Sequence, residues 1–194
     1  MESEKDPIRL FAKLYELYRQ QGVAVSSAMV LATASPEGKP SARVVLLKEF
    51  DVGGFVFYTN LSSRKARELN ANPNAALCFY WEPIDYQVRV AGVVQQVSDP
   101  EADAYFAKRP RESQIGAWAS MQTSLLSSRS ELEQRFRDYE TKFAGQDVPR
   151  PDFWSGFRLV PDIIEFWKRR GKRLHDRTQY QKTEGGWSFQ YLYP

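Results

Sequence analysis

The segment AMVLATASPEGKPSARVVLLKEFDVGGFVFYT, Ala28 to Thr59, decides the fold. Its apolar and β-branched runs, at residues 28–34, 41–48 and 55–59, are separated by Ser35-Pro-Glu-Gly38 and Asp51-Val-Gly-Gly54. Short strands joined by tight turns of Gly, Pro and Asp make an antiparallel meander. Upstream, residues 7–21 place Ile8, Leu10, Phe11, Leu14, Tyr15, Leu17 and Tyr18 near a helical period, with Asp6 as cap, Pro7 in the first turn and Gly22 beyond the end. Downstream come a helix at 63–70 and a strand at 75–80. A long strand at 86–97 then runs through Gly92, which reads as a bulge or bend.

Two helical tracts follow, 100–108 and 128–143, separated by a polar stretch at 111–127. After a loop at 145–151, the last strands are read at 153–160, 163–167, 173–181 and 187–193, with the tip of a hairpin at Gly171. Many antiparallel strands, with helices in no regular alternation, argue for a mostly β protein: a closed or split barrel with flanking helices rather than a doubly wound sheet. Gly-x-Gly-x-x-Gly is absent, so a nucleotide cofactor has to be held by something other than a dinucleotide-binding loop.

Bulk properties bound the function. The length of 194 residues with 42% hydrophobic content suits one core, and we read one domain over 1–194. A net charge of +3 is too mild for a nucleic-acid binder. One histidine and one cysteine, Cys78, cannot build a zinc site of the usual ligands, and no Gly-x-Ser-x-Gly elbow marks a hydrolase. The amino terminus has neither the basic start nor the apolar segment of a secretory signal, and no window has the apolar length that spans a bilayer. A cytoplasmic protein is expected, with neither nucleic acid nor membrane as partner.

Positive side chains recur where charge needs a reason. Arg43 and Lys48 end an otherwise apolar strand, with opposite parity, so on a regular strand they serve different faces. Arg64 and Lys65 fall in the first turn of a predicted helix, where cations oppose the helix dipole unless an anion sits there. Tyr105 and Arg109 lie one turn apart, with Pro110 and Ser113 just beyond, a set able to hold a second phosphate. Gln87, in an apolar strand, and Gln122 with Thr123, in a polar loop, offer neutral hydrogen bonds. Finally, Phe166 and Trp167 precede the basic run 168–173. On a strand leaving that turn, Arg173, His175 and Arg177 share a face, with Leu174 and Asp176 opposite.

Together these pieces resemble the pyridoxine (pyridoxamine) 5'-phosphate oxidase family of FMN enzymes: RVVLLK (Arg43 to Lys48), FYTN (Phe57 to Asn60), SRK (Ser63 to Lys65), RPRESQIGAW (Arg109 to Trp118), and Phe166-Trp167 followed by RLHDR (Arg173 to Arg177). The resemblance implies an antiparallel FMN-binding split β-barrel that works as a homodimer, the carboxy-terminal part from about 153 to 194 completing barrel and dimer site. By position, it implies that Arg43, Val44, Val45, Leu46, Leu47, Lys48, Tyr58, Thr59, Arg64, Lys65, Gln87, Gln122, Thr123, Trp167 and Arg177 hold FMN. It further implies that Lys48, Tyr105, Arg109 and Ser113 hold the phosphate of a B6 vitamer, with Arg173, Leu174 and His175 at its ring and Arg173 and His175 catalytic. The implied reaction oxidises pyridoxine or pyridoxamine 5'-phosphate to pyridoxal 5'-phosphate, with dioxygen as acceptor and hydrogen peroxide as product. A same-fold oxidase of another aromatic, of phenazine type, and a non-catalytic flavin or pyridoxal phosphate carrier are the alternatives. Thr123 stands where serine is common in the family, and Tyr191 where arginine is frequent.

Overall fold

The computed structural model describes residues 4–194, so the first three residues of the amino-terminal stretch lie outside it. Helix α1, Pro7–Arg19, begins where the Asp6 carboxylate accepts the Ile8 and Arg9 N–H groups. Its apolar stripe buries Ile8, Phe11, Leu14 and Tyr18. Phe11 is fully enclosed and meets the rings of Phe50, Phe55, Phe79 and Trp81 at 4.9–5.2 Å. These contacts plug α1 into the concave side of the sheet.

The sheet has nine strands, every pair antiparallel. In chain order they are β1 (Ala28–Ala34), β2 (Pro40–Leu46), β3 (Glu49–Asp51), β4 (Gly54–Asn60), β5 (Asn74–Trp81), β6 (Tyr86–Gln96), β7 (Trp154–Lys168), β8 (Asp176–Thr183) and β9 (Gly186–Tyr191). Their spatial order is β2-β1-β5-β6-β7-β4-β3, with β8 and β9 branching from β7. The branch follows from length. β7 pairs with β6 from Phe157 to Lys168, while its first part also pairs with β4 and its last part with β8. One long strand therefore serves two edges, and the sheet curls into a half-barrel, as the split-barrel reading expects.

The sequence reading divides β7 into two strands at Pro161-Asp162, but the structure runs through. Pairing shifts at Ala91/Gly92, where Ala91 faces Ile163 and Gly92 faces Pro161, leaving Asp162 as the extra residue of a bulge. Proline is tolerated there because a bulge needs no ladder donor. Gly92 is obligatory, since a Cβ would stand 2.0 Å from the Val160 carbonyl oxygen.

Helices α2 (Arg64–Ala71), α3 (Asp99–Ala107), α4 (Arg111–Ala119) and α5 (Arg129–Lys142) flank the sheet. The last three surround a second cluster of Phe106, Ile115, Phe143, Val148 and Trp154. Helix α4 occupies what the sequence reads as a polar stretch: it is short, and only Ile115 and Ala119, one turn apart, are buried apolar residues on it. The other correction concerns the segment after Gly171. Residues Gly171–Arg173 form a 3-10 turn with Lys172 and Arg173 at φ 57° and 61°, and the strand starts at Asp176. Arg173 is therefore not on the strand, and strand alternation does not set its direction.

Candidate functional site

A cleft of about 720 Å3 opens between the β2 and β4 strands and the α3–α4 wall. Its lining includes five cations, Arg43, Lys48, Lys65, Lys108 and Arg109, and no carboxylate. One end is built on the β4–α2 junction. Ser63 caps α2 by accepting the Ala66 N–H, which turns Lys65 inward to a buried position. There Lys65 Nζ donates to Gln122 Oε1 at 2.8 Å and Thr59 Oγ1 at 3.1 Å, both neutral. Burial first, and then the charge of Arg43, hold its pKa below the usual lysine value. Thr59 also bonds Gln122 at 3.0 Å, and Asn60 Nδ2 donates to Ser120 O, so β4 fixes the loop that follows α4.

Arg43 points from β2 into the same end. Its Nη1 donates to Thr33 Oγ1 at 2.6 Å and Leu31 O at 3.3 Å; its Nη2 donates to Ser41 Oγ at 2.5 Å and Glu68 Oε2 at 3.2 Å. Glu68 also accepts Arg64 Nε at 2.7 Å. That i,i+4 pairing draws Arg64 along the helix surface, away from the helix start where the sequence reading gathers it with Lys65. Thr123 caps the same start, accepting the Arg64 N–H at 3.0 Å, and holds φ 69°, uncommon for a β-branched residue.

The other end is aromatic and cationic. Tyr58 stacks parallel to Tyr105 at 4.0 Å and to Trp154 at 5.2 Å. The Arg109 guanidinium lies 4.7 Å from the Trp154 ring and 5.3 Å from that of Phe106. Arg109 Nη1 and Tyr58 OH are both buried without a hydrogen-bond partner among the described residues. Burial lowers the pKa of Arg109, and burial, then Glu49, Glu101 and Tyr105, raises that of Tyr58. Lys48 and Ser113 also line the cleft.

The cleft thus gathers Arg43, Val44, Val45, Leu46, Lys48, Tyr58, Thr59, Lys65 and Gln122 from the expected FMN set, and Lys48, Tyr105, Arg109 and Ser113 from the expected phosphate set. Leu47 turns into the core instead. Sequence reasoning missed Trp154, Lys108 and Glu68. In sequence the indole reads simply as the start of a strand, and Glu68 has partners 25–35 residues upstream.

A second group lies elsewhere. Gln87, Trp167 and Arg177 are successive cross-strand neighbours on β6, β7 and β8. Arg177 Nε donates to the buried Glu165 at 2.9 Å, and the His175 ring is 4.5 Å from that of Trp167. His175 Nδ1 accepts the Arg170 N–H at 3.1 Å, leaving Nε2 for a ligand. This row continues across the sheet to Tyr80, and exposed Val30, Val44 and Leu46 occupy the same outer face. Leu174 is exposed beside it.

The cofactor fit rests on these groups. A buried lysine with neutral partners and an arginine with an orphaned Nη1 call for anions, and the cleft supplies an aromatic wall between them.

Comparison with known proteins gives the family. Residues 19–143 match the family model described as pyridoxamine 5'-phosphate oxidase, and residues 154–194 match that of the pyridoxine 5'-phosphate oxidase C-terminal dimerisation region. A pyridoxine/pyridoxamine 5'-phosphate oxidase of Myxococcus xanthus is 59% identical, over 97% of this chain and 92% of its own length. One of Rubrobacter xylanophilus is 54% identical, over 95% and 85%. Among solved structures, PhzG from Burkholderia lata 383, in complex with tetrahydrophenazine-1-carboxylic acid, has TM-score 0.94 at 29% identity, covering 100% of this chain and 95% of that one. With a half-barrel fold, and with both family models matched in sequence, the chain belongs to the pyridoxine/pyridoxamine 5'-phosphate oxidase family.

Proposed function

We infer that the protein is an FMN-dependent oxidase that converts pyridoxine 5'-phosphate or pyridoxamine 5'-phosphate to pyridoxal 5'-phosphate, reducing dioxygen to hydrogen peroxide. The observation that carries the reading is the pair of anion seats at opposite ends of one cleft: Lys65 and Arg43 at one, Arg109 with Lys48, Tyr105 and Ser113 at the other. The chemistry FMN supplies when bound is acceptance of a hydride from the substrate's 4'-carbon and return of the electron pair to dioxygen.

The chain's own residues bind and orient. A phosphate on Arg109 gives its buried Nη1 a charge-assisted partner, and being held there turns a bimolecular encounter into a positioned one. Lys65, Thr59 and Gln122 hold the cofactor's end of the cleft. The outer-face row supports a site shared between two copies. Its exposed Val30, Val44, Leu46 and Tyr80 suit coverage by a second protomer, the carboxy-terminal segment matches a dimerisation region, and Gln87, Trp167, Arg173, His175 and Arg177 would reach the partner's cleft. In this arrangement residues 1–194 act as one domain, and His175 Nε2 and Arg173 face the substrate ring as the catalytic pair.

A phenazine-type substrate is the second reading, favoured by the structural likeness to PhzG. Against it stands the intact set Lys48, Tyr105, Arg109 and Ser113, which a substrate without phosphate does not need. Purified protein should be yellow and release one peroxide per pyridoxal 5'-phosphate formed. Yellow protein that releases no peroxide with either phosphorylated vitamer would make it a carrier, and turnover confined to unphosphorylated aromatics would favour the second reading.

A further inference from the structure

Five cations line the cleft with no carboxylate among them, yet just behind Arg43 lies a buried one, Glu68 on α2. Its Oε2 accepts Thr33 Oγ1 at 2.5 Å, Ser41 Oγ at 2.6 Å and Arg43 Nη2 at 3.2 Å, and its Oε1 accepts Arg64 Nε at 2.7 Å. Burial raises its pKa, but the bonds from Ser41, Thr33, Arg64 and Arg43 outweigh that and hold it at about 2, so it is ionised at any physiological pH.

The consequence falls on Arg43. A guanidinium has four Nη hydrogens and one on Nε. Leu31 O, Thr33, Ser41 and Glu68 take one Nη hydrogen each, leaving Nε–H without a partner among the described residues. Thr33 and Ser41 each bond both Arg43 and Glu68, so the carboxylate organises both hydroxyls as well as the guanidinium. Without it, Arg43 would face the buried cation Lys65, whose pKa it already lowers, with no negative charge nearby, and like-charge repulsion would favour other rotamers of the flexible side chain.

We propose that Glu68 is a positioning residue for the cofactor-phosphate end of the cleft: it clamps Arg43 through Thr33 and Ser41 so that the unpartnered Nε–H is held ready for a ligand. This rests on the FMN reading. It extends that reading from residues that touch the ligand to one that does not.

Full-length protein freed of flavin, titrated with riboflavin 5'-phosphate and with riboflavin and followed by flavin fluorescence, reads the phosphate end as the ratio of the two dissociation constants. Glu68→Ala should cut that ratio by about tenfold while riboflavin affinity changes less than about twofold, and Glu68→Gln, which keeps an acceptor oxygen, should lose less. In a cycle with Arg43→Ala, the double variant should lose no more than Arg43→Ala alone, because both changes break one unit. An unchanged ratio, or additive losses, overturns the proposal. Should Glu68→Ala not fold, Ser41→Ala decides in its place: the same shift, smaller, supports the clamp, and no shift overturns it. If wild-type protein fails to prefer riboflavin 5'-phosphate over riboflavin, the FMN reading falls and the clamp with it; a wild-type preference with additive losses removes the clamp alone.

Discussion

Arg109 is the residue with most to gain from a ligand, since its Nη1 is buried without a partner and its guanidinium is desolvated against Trp154. Arg109→Ala should raise KM for pyridoxine 5'-phosphate by roughly 10- to 100-fold, the range of a lost hydrogen bond to a charged group, with a smaller change in kcat. Steady-state kinetics check this, and an unchanged KM would move the substrate phosphate elsewhere. Glu68 gives a pH prediction. Its folded pKa, about 2, lies below the ordinary 4.5, so the unfolded chain binds its proton more readily. The stability it contributes is complete above about pH 4.5 and fades as pH falls toward 2. Urea unfolding between about pH 6 and pH 3 should therefore steepen in wild type relative to Glu68→Gln; parallel profiles would contradict the assignment. Lys65 was legible because a cation in the first turn of a helix is locally unfavourable and asks for an explanation. Glu68 was not, because a carboxylate in the second turn of a polar helix looks solvated until β1 and β2 are folded over it.

At the scale of elements, β7 carries the architecture. It pairs with β6, β4 and β8, and its register depends on the bulge opposite Gly92. Gly92→Ala would set a Cβ against the Val160 carbonyl, so either the bulge or the pairing must shift. A loss of roughly 3 kcal/mol or more is expected in chemical denaturation, in the range that marks a specific steric conflict. A loss under about 1 kcal/mol would mean the bulge is soft. Phe11→Ala should cost about 3–5 kcal/mol by emptying the centre of the aromatic plug. The meander, α1 and the bulge at Gly92 could be read from turn residues and periodicity. The continuity of β7 could not, because Pro161 normally interrupts a strand and is admitted here by the bulge at Asp162 in β7 itself. Nor could α4, whose short apolar stripe is set among polar residues, or the left-handed turn at Lys172 and Arg173, where neither residue is the glycine that such φ values favour.

At the scale of the molecule, the residues that the family resemblance assigns to one site fall into two groups: the cleft between β2, β4 and α3–α4, and the row Gln87, Trp167, Arg177 on the outer face with His175 beside it. Sequence reading names many residues of both groups, though not Trp154 or Lys108, and does not show their separation, which depends on which face of the curled sheet each strand presents. A dimer with shared sites reconciles the two, and subunit complementation tests it most directly. Arg109→Ala disables the cleft and His175→Ala the outer-face row, so, assayed at pyridoxine 5'-phosphate well below KM, each variant alone should keep about a tenth of wild-type activity or less. When the two are unfolded together and refolded, half the dimers on average are mixed, and each mixed dimer has one intact site. The account predicts recovery of about one quarter of wild-type peroxide release. Activity no greater than the sum of the two separate variants would show that cleft and row do not meet across protomers.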